Sequence, residues 1–218
     1  MSLETNKHFI TNSLNLSDMR VYQTNEIKNI ALVGSAGSGK TTLAESMLFE
    51  AGVIKRRGTV EAKNTVSDYF PVEQEYGYSV FPTVFHVEWN NRKLNIIDCP
   101  GSDDFVGGAI TALNVTDEAV ILINGQYGPE VGTQNNFRYT EKLKKPVIFL
   151  INQLDSDKCD FLFSLFISFF TARVLSLEEF DLHCAKVRSH SNKELINKNR
   201  FISIFDVLNR IMIYTPSS

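Results

Sequence analysis

The run Gly34-Ser35-Ala36-Gly37-Ser38-Gly39-Lys40-Thr41 constrains this chain more than any other stretch. It follows the apolar segment Ile30-Ala31-Leu32-Val33 and leads into Thr42-Leu43-Ala44-Glu45-Ser46-Met47-Leu48-Phe49, so it reads as strand, glycine-rich turn and helix. Glycines in such a turn let successive backbone N–H groups point inward around a polyphosphate, and the following helix N-terminus adds positive potential. Lys40 then brings an ammonium to the β and γ phosphates, and the Thr41 hydroxyl can ligate Mg2+. A flexible turn that happens to contain lysine is the competing explanation, but G-x-x-x-x-G-K-[ST] between a strand and a helix is rare by composition alone.

The rest of the chain supplies a sheet for this turn to sit on. Thr83–Trp89 and Lys93–Asp98 flank Asn90-Asn91, two residues that tolerate the positive φ of a tight hairpin. Ala119–Ile123 and Val147–Ile151 are unbroken apolar runs, as expected of strands covered on both faces, and 133–142 between them predicts a helix. Ala51-Gly52 marks the end of the first helix. The expected fold is therefore α/β: a mostly parallel sheet with one antiparallel hairpin strand and flanking helices. In such a sheet the loops after the first, third and fifth strands share one crevice at the carboxyl edge.

Each of those loops carries distinctive chemistry. After the third strand, Asp98-Cys99-Pro100-Gly101 offers a carboxylate that can hold Mg2+, commonly through water, and a glycine N–H able to approach a γ phosphate. After the fifth, Asn152-Gln153-Leu154-Asp155 offers Asp155 as an acceptor for both N1–H and the exocyclic amine of guanine, with Asn152 as support. Adenine has no donor at N1, so a carboxylate here would face an unpaired group. An Asp-initiated turn and a polar loop are the respective structural alternatives.

Taken with Glu73-Gln74-Glu75-Tyr76-Gly77-Tyr78-Ser79-Val80 and the segment Leu94–Phe105, residues 25–160 resemble the GTP-binding domain of elongation factor G and its translational GTPase relatives. The resemblance implies a P-loop NTPase of the Ras-like G-domain type, GTP or GDP with Mg2+, and ribosome-coupled switching during translocation. It implies that Gly34, Ser35, Ala36, Gly37, Ser38, Gly39, Lys40, Thr41 and Thr42 hold phosphate, that Thr41, Ser79 and Asp98 serve the metal, that Gly101 senses the γ phosphate, and that Asn152, Gln153 and Asp155 serve the base. Ser79 replaces a threonine and keeps the hydroxyl; Tyr76 stands where the family usually has arginine.

Two departures bear on activity. Ser102 occupies the position of the histidine that orients the attacking water, and such a group is typically worth ~10^2 to 10^4 in rate, so slow hydrolysis is expected even with Lys40 and Gly101 in place. Gln153 replaces a lysine whose stem covers the base, so weaker binding is expected with guanine preference retained. Beyond residue 160 no further family pattern, sixth strand or β-barrel is recognisable, and the domain is expected to be incomplete there. Phe161–Phe170 opens a tail, 161–218, of different composition, which suggests a truncated or frame-altered product.

Residues 1–24 are polar and lack the apolar core of a secretory signal, so they are expected to be a leader, with Met19 as an alternative start. The apolar run of the tail is shorter than the ~20 residues of a membrane helix. A net charge of −3 excludes an overall basic surface for nucleic acid, so no direct DNA partner is expected and the ribosome would be met locally. Cys99, Cys159 and Cys184 contain no C-x-x-C pair, which argues against a disulfide framework or a zinc site and favours a reducing cytoplasm. His183, Cys184 and His190 read as an incidental cluster. A monomer is expected. The alternatives are a nucleotide-binding module without productive turnover, a non-functional fragment, and a ribosomal-protection type GTPase of the kind that confers tetracycline resistance. An ATPase or kinase is disfavoured by Asp155.

Overall fold

The computed structural model describes residues 20–153 and 181–184. In chain order the elements are β1 (Ile27–Gly34), α1 (Lys40–Glu50), α2 (Pro71–Tyr76), β2 (Thr83–Trp89), β3 (Arg92–Asp98), α3 (Val106–Val115), β4 (Glu118–Asn124), α4 (Val131–Lys142), β5 (Val147–Asn152) and β6 (Asp181–Cys184). The strands form one sheet in the order β2-β3-β1-β4-β5-β6. The β2–β3 pair is antiparallel and the other pairs are parallel. Asn90 and Asn91 take φ of 47° and 62°, the left-handed values that a two-residue hairpin turn demands.

Period-two alternation divides the central strands between two cores. Ile30 and Leu32 of β1, Val120 and Leu122 of β4, and Ile148 and Leu150 of β5 face one side, where Leu43, Met47 and Leu48 of α1 cover them. Ala31, Val33, Ile121, Ile123, Phe149 and Ile151 face the other, under Ala109, Ala112 and Leu113 of α3 and Phe137 of α4. Burying a Leu, Ile or Phe side chain contributes roughly 1.5–3 kcal/mol, so this two-sided cover is what holds the sheet in place beneath its loops. The chain is thus an α/β P-loop G-domain fold, with helices on both faces of a mostly parallel sheet.

Four features differ from the sequence expectation, the first being helix α2, which the sequence reading does not assign. Helix α3 was not foreseen, because Gly107-Gly108 and only three buried residues give it little periodic signal. Helix α4 begins at Val131, two residues before the expected start. A sixth strand, β6, pairs with β5 in the register Ile148↔Asp181 to Ile151↔Cys184, where no such strand was recognisable. Four residues are too few to carry an alternation pattern. His183 and Cys184 belong to β6, and His190 lies outside the described residues, as do the leader and nearly all of the tail.

Candidate functional site

The turn from β1 into α1 is built by backbone conformation. Gly39, immediately before α1, has φ of 93°, and a Cβ there would run into the Asn152 amide, so glycine is required on both counts. Lys40 is buried and its Nζ donates to the carbonyls of Gly34 at 3.0 Å and Ser35 at 2.9 Å. Two of its three donors are therefore committed to the loop itself. Burial lowers the Lys40 pKa, and the carboxylate of Asp98 opposes that shift most strongly.

Asp98 sits at the tip of β3, fully buried. Its Oδ2 accepts from the hydroxyls of Thr41 at 2.8 Å and Ser67 at 2.6 Å, and the Ser79 hydroxyl lies 3.3 Å from that of Thr41. Its Oδ1 is buried without a partner. Burial pushes the Asp98 pKa up to about 6, against the Ser67 hydrogen bond, the Lys40 ammonium and the Thr41 hydrogen bond. An unpartnered, buried carboxylate oxygen beside two converging hydroxyls is what a divalent cation would satisfy. The residues present therefore fit Mg2+.

Gly101 closes the site from the β3 side. A Cβ on it would lie 2.8 Å from both Cα and N of Ala36 and collide with Lys40 Nζ, so the loops after β1 and β3 touch through a gap that only glycine leaves open. Between them and residues 60–79 lies a cleft of about 520 Å3, whose walls include Lys40, Thr41, Thr42, Ser79, Gly101 and Ser102. Ser102 has turned its Oγ to accept from Asp104 N at 3.4 Å, capping the short turn Asp103–Phe105. The Tyr76 ring is exposed and lies 5.8 Å from that of Tyr78.

The loop after β5 reaches the same place. Asn152 Nδ2 donates to Ser38 O at 3.1 Å, and Gln153 Nε2 donates to Gly37 O at 2.8 Å. Gln153 thus contacts the glycine-rich turn despite its shorter, neutral side chain. The three loops meet, while Asp155 lies outside the described residues.

Sequence reasoning missed Ser67, Asp68, Glu45 and Glu73. In the stretch from Lys55 to Pro71, which carries no periodic signal, Thr65, Ser67 and Asp68 are buried. Asp68 lines the cleft with Oδ1 unpartnered, and its pKa is raised by burial and opposed by a hydrogen bond with Ser79. Only Glu45, one helical turn beyond Thr41 on the same face, had a sequence signal that could have found it.

Residues 25–205 match the family model described as the elongation factor Tu GTP binding domain, a span that runs past residue 160. The chain is 35% identical over 133 residues to the mitochondrial ribosome-releasing factor 2 of Candida dubliniensis, a match covering 61% of this chain and 16% of that protein. It is 33% identical over 135 residues to an elongation factor G-like protein of Thermotoga maritima, covering 62% and 19%. A crystal structure of a Thermus thermophilus protein superposes with a TM-score of 0.64 at 33% identity, covering 68% of this chain and 22% of that one. The chain therefore spans less than a fifth of the length of the two named relatives.

Proposed function

The chain belongs to the elongation factor Tu GTP-binding domain family, as a translational GTPase G domain of elongation factor G type, and we propose that it binds GTP and GDP with Mg2+ and hydrolyses GTP slowly. The observation that carries this is the convergence of the Thr41 and Ser67 hydroxyls on Asp98, whose second oxygen is unpartnered, with the Ser79 hydroxyl against that of Thr41, beside the glycine-rich turn into α1. Magnesium, when bound, would supply neutralisation of phosphate charge. Thr41 and Ser79 would hold it directly, and Asp98 would hold its water. Lys40 would bring positive charge to the phosphates, and the Gly101 N–H would approach the γ phosphate. Asn152, Gln153 and Asp155 would hold the guanine base.

Slow turnover follows from Ser102. Its hydroxyl is spent on the Asp103–Phe105 turn and is shorter than imidazole, so no general base is aligned there. Titration calorimetry with GDP, GTP and ATP, with and without Mg2+, tests the binding. Heat with guanine nucleotides only supports it; no heat from either removes it. Single-turnover hydrolysis with and without ribosomes tests the rate.

The ribosome is the proposed partner, and translocation the process implied by elongation factor G. A second reading, release of ribosomes, is favoured by the 35% identity to a ribosome-releasing factor. A nucleotide-binding module without turnover is the outcome if hydrolysis stays absent with ribosomes. Among the described residues no helix is long and apolar enough to cross a membrane. We place the protein in the cytoplasm as a monomer; cell fractionation and light scattering test this, with the mitochondrial compartment of the named relative as the alternative.

A further inference from the structure

We propose that Glu45 and Glu73 are positioning residues that latch the segment 58–81 over the cleft and so set the hydroxyls of Ser67 and Ser79. Both are 1% exposed. Glu45, on α1, accepts from Gly58 N at 2.8 Å through Oε2 and from Val66 N through Oε1. Glu73, in the first turn of α2, accepts from Val80 N and Phe81 N, each at 3.0 Å, through Oε1, and from Phe70 N at 3.2 Å through Oε2. Five backbone amides of a long irregular connection thus end on two buried carboxylates.

The placement of those amides matters more than their number. Val66 immediately precedes Ser67, whose Oγ donates to Asp98 at 2.6 Å. The Val80 amide belongs to the peptide unit that begins at Ser79, so holding that N–H fixes the Ser79 backbone plane and presents its hydroxyl 3.3 Å from that of Thr41. Glu45 also lies one turn from Thr41 on the same face of α1. The helix that offers one hydroxyl to the cation site therefore holds the strap that brings another. Charge-assisted hydrogen bonds of this kind are about twice as strong as neutral ones, and a buried carboxylate deprived of them has no water to replace them. The latch closes without a ligand among its members.

Hydrogen exchange on the full 218-residue chain without nucleotide tests the latch directly. The amides of Phe70, Val80 and Phe81 are expected to exchange slowly in the wild type and at least about tenfold faster in Glu73→Ala, with Gly58 and Val66 unaffected; Glu45→Ala should do the converse. Glu73→Gln keeps an oxygen able to serve Val80 and Phe81 and should protect them nearly as well as the wild type. Should an alanine variant fail to fold, Glu73→Gln against Glu45→Gln carries the comparison, because glutamine at 45 can satisfy only one of its two amides.

The second readout rests on the proposed nucleotide site. The ratio of GDP affinity in Mg2+ to that in EDTA should fall about tenfold in each alanine variant, while the EDTA value changes little. Equal loss in both conditions, or fast exchange of these amides in the unaltered chain, would overturn the latch. A wild type that binds no guanine nucleotide would defeat the nucleotide site instead and leave the exchange result to decide the latch.

Discussion

Glu118 opens β4 on the edge of the sheet opposite the cleft, 1% exposed, with Oε1 lacking a partner. Burial, offset by Lys28 and reinforced by Asp117, raises its pKa from 4.5 to about 7. Lys144 and Lys145 from the α4–β5 connection border the same recess, but Lys145 Nζ is taken up by Thr116 O at 2.7 Å. A folded-state carboxyl that binds its proton more tightly than the unfolded one favours folding below pH 4.5, and that stability is lost as pH rises through about 7. At ~1.4 kcal/mol per pH unit, the interval from 4.5 to about 7 removes at most about 3.5 kcal/mol. Glu118→Gln keeps the volume and deletes the titration. Urea unfolding at several pH values from 5 to 8 should therefore give curves in which the variant gains on the wild type from pH 5 to about 7 and the difference then levels off. Parallel curves over that range would refute the assignment of a buried, proton-retaining carboxyl.

Two further outcomes concern the cleft. In Gly101→Ala the added methyl must displace Ala36 or Lys40; GTP affinity should drop at least about tenfold and GDP affinity less, measured by competition with a fluorescent nucleotide. Ser102→His should raise single-turnover hydrolysis with ribosomes by up to ~10^2, and an unchanged rate would place the defect elsewhere in the site.

Local pattern carried much of the fold. The β1 turn, the Asn90-Asn91 hairpin and the apolar runs of β4 and β5 each advertise themselves within a few residues, and the meeting of three loops follows from parallel order alone. What escaped depends on contacts distant in sequence or on signals too weak to read. Ser67 meets Asp98 across 31 positions, and nothing in 55–71 marks it. Glu73 reads as an ordinary first-turn acid until its carboxylate is seen to gather amides from both ends of α2. Helix α3 is held by the sheet above it rather than by propensity, since its first turn contains two glycines.

The amides of Asn152 and Gln153 rest on carbonyls of Ser38 and Gly37, so the edge that would choose the base is bolted to the edge that would grip the phosphates. Recognition of the two ends of a nucleotide bound there would then be mechanically coupled. Any attempt to re-engineer base preference at positions 152 and 153 should be assayed with inorganic pyrophosphate as well as with nucleosides, because a change made for one end will be felt at the other.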